Sequence, residues 1–89
     1  MPTEKFWREK LAAEGFKTID VGTDPAGMEY PPHSHETYVE HVILAGEMTL
    51  TVEGETRILK AGDRWGAPAG AVHSAKIGPE GCTYLIGEK

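Results

Sequence analysis

Apolar and polar residues alternate with a period of two along most of this chain, and the first stretch is the exception. Phe6, Trp7 and Leu11 recur at helical spacing within residues 3–14. Thr3 suits an N-cap, Glu4 suits the first turn, and Gly15 stands just past the end. The pattern predicts a helix whose Phe6–Trp7–Leu11 stripe packs outside a β core. A contact between two copies of the chain is the alternative use of that stripe.

Beyond Gly15 the pattern turns to short strands. Residues 16–21 read as the first, and 22–27 as a turn region. Residues 28–30 are extended, two prolines follow, and 33–35 are extended again. Residues 39–45 form the next strand, ended by Gly46-Glu47. Met48, Leu50 and Val52 then alternate with Thr49 and Thr51, the signature of a half-buried strand. Glu53-Gly54 makes a tight hairpin turn, 56–59 return, and 60–63 turn once more. Residues 64–67 are short, and Pro68-Ala69-Gly70 bends the chain. Strands over 72–77 and 82–86 flank a turn at Gly78-Pro79-Glu80-Gly81. About eight short strands separated by such breakers predict an all-β fold, a small antiparallel barrel or jelly roll with a short N-terminal helix.

Eighty-nine residues make one domain, with residues 1–15 as the helix and 16–89 as the barrel. A chain this short buries only roughly 60–65% of its unfolded surface, so a homodimer is expected to add apolar burial. The formal net charge is −5 and no basic stripe occurs. Nucleic acid and anionic membrane surfaces are therefore not expected partners. Val42-Ile43-Leu44-Ala45 is the longest plainly apolar run, far short of a membrane span. No basic, then apolar, leader opens the chain. Cys82 is the single cysteine, so neither an intrachain disulfide nor a multi-thiolate zinc site is available. The expected setting is cytoplasmic.

The four histidines carry the chemistry. His33 and His35 stand two apart, and in an extended segment such residues share a face. Alone, this pair is equally compatible with two exposed side chains in a proline-flanked loop. His73 changes the balance, because it lies three residues beyond Gly70, after a rigid bend that delivers a strand residue to a fixed place. Three converging imidazoles with open positions form a reactive metal site, not a closed structural one.

With those residues in place, the chain resembles the cupin family. The first cupin motif runs G-x5-H-x-H-x3 or x4-E-x6-G, and Gly27, His33 and His35 match it. The second runs G-x5-P-x-G-x2-H-x3-N, and Gly62, Pro68, Gly70 and His73 match, with Ile77 in place of Asn. The resemblance spans residues 27–77 and implies a double-stranded β-helix, the cupin jelly-roll barrel.

The motif glutamate is displaced. Counted forward from His35, Glu40 fits; counted back from Gly46, Val39 takes its place. A one-residue slip flips a side chain to the opposite face of a strand. The count from Gly46 is preferred, because a loop varies in length more readily than a strand. On that register Val39, His41 and Ile43 point inward and Glu40 outward, making His41 the candidate fourth ligand. A bulge that restores Glu40, or completion of the shell by water or substrate, are the alternatives. Without a metal role, His41 would be a pocket-lining or core histidine and Glu40 a solvated strand residue.

A mostly imidazole site suits one divalent transition metal, Fe, Mn, Ni, Cu or Zn. All-histidine ligation keeps the site positive and favours an anionic ligand such as a carboxylate. The resemblance implies a small metalloenzyme acting on a small organic molecule, oxygenase-like, with a dioxygenase or an isomerase as the reaction types. A ligand-binding sensor module without turnover is the alternative, and a cupin scaffold that binds no metal is a third reading. Among the remaining residues, Tyr30, Trp65 and Met48 are expected to serve in packing, with a place at the barrel mouth as the alternative for each. Tyr38 is expected over the pocket or at the surface. Cys82, alternating with Tyr84 and Ile86, is expected to be a buried structural thiol. Arg64 is expected to form a turn ion pair with Asp63.

Overall fold

The computed structural model of the chain describes residues 3–89. One helix, α1 (Glu4–Ala13), precedes six strands: β1 (Thr18–Asp24), β2 (Glu29–His33), β3 (Val39–Val52), β4 (Glu55–Lys60), β5 (Arg64–Ala67) and β6 (His73–Glu88). All strand pairs are antiparallel. β3 and β6 pair with each other from Val39↔Glu88 to Val52↔His73. The far end of each carries different partners. β5 and β1 flank the half that holds Val39 and Glu88, while β4 and β2 flank the half that holds Val52 and His73.

Most segments read from the sequence are present, but the extended pieces on either side of Pro31-Pro32 are one strand that ends at His33, and two expected turns are bends within continuous strands. The β3–β6 register shifts twice, at Leu44 between Ile43 and Ala45, so residues 39–45 are not a fully regular strand, and between Gly46 and Met48, where residues 78–81 stand opposite Glu47 alone. Gly46 has φ +80° and Gly81 φ +79°. A Cβ on Gly46 would fall on the Gly81 carbonyl, so this close backbone crossing requires glycine. The bulge folds the two half-sheets over one another without interrupting the ladder. Glu53 (φ 48°) and Gly54 (φ 83°) form the two-residue hairpin between β3 and β4, both left-handed as a type I′ turn demands. β2 tolerates Pro31 and Pro32 because it pairs with β6 alone and lies at an edge.

Two apolar clusters hold the layers together. Between the half-sheets lie Ile43, Met48, Leu50, Val52, Ile77, Cys82 and Tyr84, all buried. Met48, Leu50 and Val52 thus face inward as their alternation predicts. On the outer side of β3 and β6, Val42 and Leu85 pack against Trp7, Leu11 and Phe16. The Thr3 hydroxyl accepts from the Phe6 amide at 3.2 Å, capping α1. Trp7 and Leu11 are buried, whereas Phe6 is exposed and does not share their stripe. β1 begins at Thr18 and runs through Asp24, so Phe16 falls outside it and Gly22–Asp24 within it.

A polar network ties α1 to the sheet. The Glu40 carboxylate is buried beneath the helix, where it accepts from the Tyr38 hydroxyl at 2.8 Å and from Arg64. Arg64 also forks onto Glu14 at 2.7 and 3.0 Å. The expected Arg64–Asp63 turn pair is replaced by these two, because β5 carries Arg64 towards the helix. Asp63 instead accepts from the Lys60 amide at 2.9 Å. Glu40 is correspondingly no solvated strand residue.

Two measurements follow from this packing. Arg64→Ala leaves the Glu40 carboxylate buried without its cation and is expected to cost about 3–5 kcal/mol in denaturant unfolding. Glu14→Gln, at the half-exposed end of the same network, is expected to cost under about 1 kcal/mol. Arg64 holds the Glu14 carboxyl below its ordinary 4.5. The Glu14 contribution is therefore complete above that value and fades as pH falls through the lowered one. Burial, reinforced by the charge of Asp24, pushes the Cys82 thiol up to about 11. Native protein at pH 8 should resist thiol alkylation that unfolded protein accepts readily, and rapid native labelling would contradict the buried placement.

Candidate metal centre

β2 ends on His33, which pairs across the ladder with His73 at the first position of β6. Cross-strand partners share a face, so the two rings meet, with centroids 4.3 Å apart. His35 lies just past β2 rather than in a strand. Its carbonyl accepts from the Gly70 amide at 2.8 Å. The Pro68-Ala69-Gly70 bend therefore holds the backbone of His35 as well as aiming His73. The His35 centroid lies 5.0 Å from His33 and 5.2 Å from His73. One ligand nitrogen from each of the three lies within 4.8 Å of the others. His33 and His35 reach solvent, whereas His73 is buried.

Two of the rings are oriented by backbone carbonyls. His33 Nδ1 lies 2.7 Å from the Pro31 carbonyl, and His73 Nδ1 lies 3.2 Å from that of Ala71. A neutral imidazole donating through Nδ1 keeps its Nε2 lone pair free, the arrangement in which metal-bound histidines are held. Burial lowers the His73 pKa, reinforced by His33 and His35. The donor set thus fits a divalent transition metal: three imidazole nitrogens close together, two of the rings prealigned, in the wall of a cavity.

His41 lines that same cavity but stands outside the close group of three. Its centroid is 6.0 Å from that of His73. Imidazoles sharing one ion lie about 4–6 Å apart by centroid, as metal–nitrogen bonds of about 2.1 Å require. His41 therefore sits at the outer limit of a shared sphere. Burial, then the neighbouring His73, lowers its pKa to about 4, and its Nδ1 is buried with no hydrogen-bond partner. Such an orphaned atom is the kind that a bound ion or ligand satisfies.

The two counts for the motif glutamate are resolved by the ladder. β3 pairs without a shift from Val39↔Ala67 to Val42↔Arg64 on one side and from Val39↔Glu88 to Ile43↔Tyr84 on the other. No bulge separates Val39 from Ile43, so His41 faces the interior and Glu40 faces the helix. The strand is buried on both faces, which is why Glu40 has a partner in Arg64.

The cavity encloses about 250 Å³ and is lined by the four histidines with Tyr30, Met48 and Tyr84, among others. Trp65 takes the packing role expected of it, lying on the core with the Arg57 guanidinium 4.1 Å over its ring. Tyr38 belongs to the helix side, 6.0 Å from Phe16 by ring centroid. Sequence reasoning missed Asp24 and the inward role of Tyr84. Tyr84 donates to Asp24 Oδ2 at 2.6 Å and Tyr30 donates to the same oxygen at 2.8 Å. Burial and that bond push the Tyr84 phenol far up. Sixty residues separate Asp24 from Tyr84, and no local motif marks such a pairing.

Residues 20–85 match the family described as the cupin domain. No curated protein sequence matches the chain. Among solved structures, the DMSP lyase DddQ from Ruegeria pomeroyi DSS-3 superposes with TM-score 0.75 at 32% identity, over 80% of this chain and 36% of that one. KdgF from Halomonas sp. gives 0.69 at 25% identity, over 79% and 67%. The cupin domain of Schizosaccharomyces pombe Cnp3 gives 0.75 at 26%, over 85% and 55%. The chain thus spans between about a third and two thirds of the length of these neighbours. Family match, bent double sheet and histidine placement agree: this chain belongs to the cupin family.

Proposed function

We propose that this cupin binds one divalent transition metal (Fe, Mn, Ni, Cu or Zn) through His33, His35 and His73, with His41 as the fourth donor. It then acts as a small metalloenzyme on a small organic molecule. The observation that carries the reading is the convergence of three imidazole nitrogens within 4.8 Å, all three lining one cavity. When bound, the ion supplies Lewis acidity at its open positions and, for the redox-active metals, a site for O2. The protein supplies the rest. The Pro31 and Ala71 carbonyls orient two ligands. Val39, Met48 and Ile86 give the cavity apolar walls that limit water. Its volume admits only a small ligand. The neighbour named as a lyase supports an enzymatic reading, and oxygenase or isomerase chemistry remains the proposed type.

The same proposal includes a homodimer. Phe6, Val21, Ile58 and Val72 are exposed large apolar residues on a small molecule, and sedimentation at micromolar concentration tests their burial. For membranes, no helix among the described residues is long and apolar enough to cross one.

Metal analysis of purified protein should find about one ion per chain. His33→Ala and His73→Ala should abolish uptake, His41→Ala should weaken it about tenfold, and Glu40→Gln should leave it intact. Uptake retained by both of the first two variants would refute the site. Protons compete with the metal for neutral imidazoles, so affinity should fall as pH drops below about 6. Oxygen consumption with phenols, diketones and thiols tests catalysis, and a metal-loaded protein inert to every substrate would leave binding without turnover.

A further inference from the structure

The cavity has a second polar feature besides its histidines. Tyr30 pairs with Ala75, two residues from His73 along β6, while Tyr84 pairs with Ile43, two residues from His41 along β3. Each step of two residues advances about 7 Å along a strand. Both phenols therefore lie nearer than the imidazoles to the bend at Gly46 and Gly81. Their oxygens are 3.5 Å apart, and both hydroxyls donate to the same atom, Asp24 Oδ2.

That sharing sets the polarity of the inner wall. Each phenol has one proton, and both protons are directed at Asp24. Only phenol lone pairs remain for a ligand. Among the described residues neither lysine nor arginine lines the cavity, so the wall near the bend offers no cation to an anionic group. A ligand end that only accepts hydrogen bonds would be desolvated there without a partner, which is costly. An end that donates finds two acceptors with a carboxylate behind them.

We propose that Asp24, Tyr30 and Tyr84 form an acceptor wall that selects ligands by their far end. The ligand class is a short carboxylic acid bearing a hydroxyl or ammonium group at the other end. Its carboxylate meets the histidine centre and its donor meets the phenols. The carboxylate half of this assignment rests on the metal site proposed above, whereas the donor half rests on the tyrosines alone.

Calorimetric titration of Co(II)-loaded protein at pH 7 separates the two. The probes are 4-hydroxybutanoate and 4-aminobutanoate as donors, pentanoate as the apolar isostere, and succinate as the acceptor-ended analogue. Wild-type protein should bind the two donors at least about tenfold tighter than pentanoate or succinate, the scale of one buried hydrogen bond. Tyr30→Phe and Tyr84→Phe should each reduce that preference to about threefold or less, with the Co(II) spectrum unchanged. Asp24→Asn should shift relative affinity towards succinate, because a weaker acceptor releases a phenol proton to the cavity. If Tyr84→Phe fails to fold, the variants at the half-buried Tyr30 and Asp24 carry the test.

Equal affinity for all four probes on metal-loaded protein overturns the acceptor wall and leaves the metal centre standing. So does a preference that survives in both tyrosine variants. Protein that takes up no Co(II) yet keeps the donor preference, and loses it in the tyrosine variants, overturns the metal reading and keeps this one. Absence of binding by every probe, with or without metal, overturns the wall.

Discussion

Pairing between β3 and β6, continuous across a shared bend, is the constraint on which the rest depends. The two strands supply the shared centre of both half-sheets, and their ladder survives the fold-over because the bulge opposite Glu47 absorbs it. Gly46 and Gly81 make the bend sterically feasible. A flat sheet would leave His73 and Ile86 on one open face. The bend turns that face onto itself, so that residues far apart in sequence enclose a common space.

Alternation along β3 then separates two kinds of polar burial. His41 and Glu40 are adjacent, and both are nearly inaccessible. On the inner face His41 is stripped of water beside other imidazoles and is driven towards its neutral form. On the outer face Glu40 keeps its charge partner, Arg64, under a helix. One buried group is left with an unmet nitrogen, the other is fully engaged. That contrast marks the inner face as the one built to receive something, and the outer face as structural.

The cavity is also asymmetric along its depth. The imidazoles lie away from the bend, and the phenols bound to Asp24 lie near it. His33 and His73 are fixed by hydrogen bonds to the Pro31 and Ala71 carbonyls, and both phenols by bonds to the Asp24 carboxylate. Such fixing limits rearrangement on ligand entry, which favours preorganised recognition of a small molecule. With few residues outside the barrel, selectivity has to come from the wall itself.

Local features were legible in the sequence by itself. The period of two at Met48–Val52 named its buried face, Glu53-Gly54 named its hairpin, and Thr3 named its cap, because each depends on residues within one or two turns of chain. The spacing of His33, His35 and His73 around a Pro-x-Gly bend anticipated that the three imidazoles meet, and the count from Gly46 put His41 inside. Tertiary structure alone decided the remainder. It made Gly46 and residues 78–81 bends instead of turns, since a bulge is specified by the strand opposite. It assigned Arg64 to Glu40 and Glu14, exposed Phe6, and joined Asp24 to Tyr30 and Tyr84. Periodicity reports which face a side chain occupies, but only the pairing of distant strands determines what that face meets.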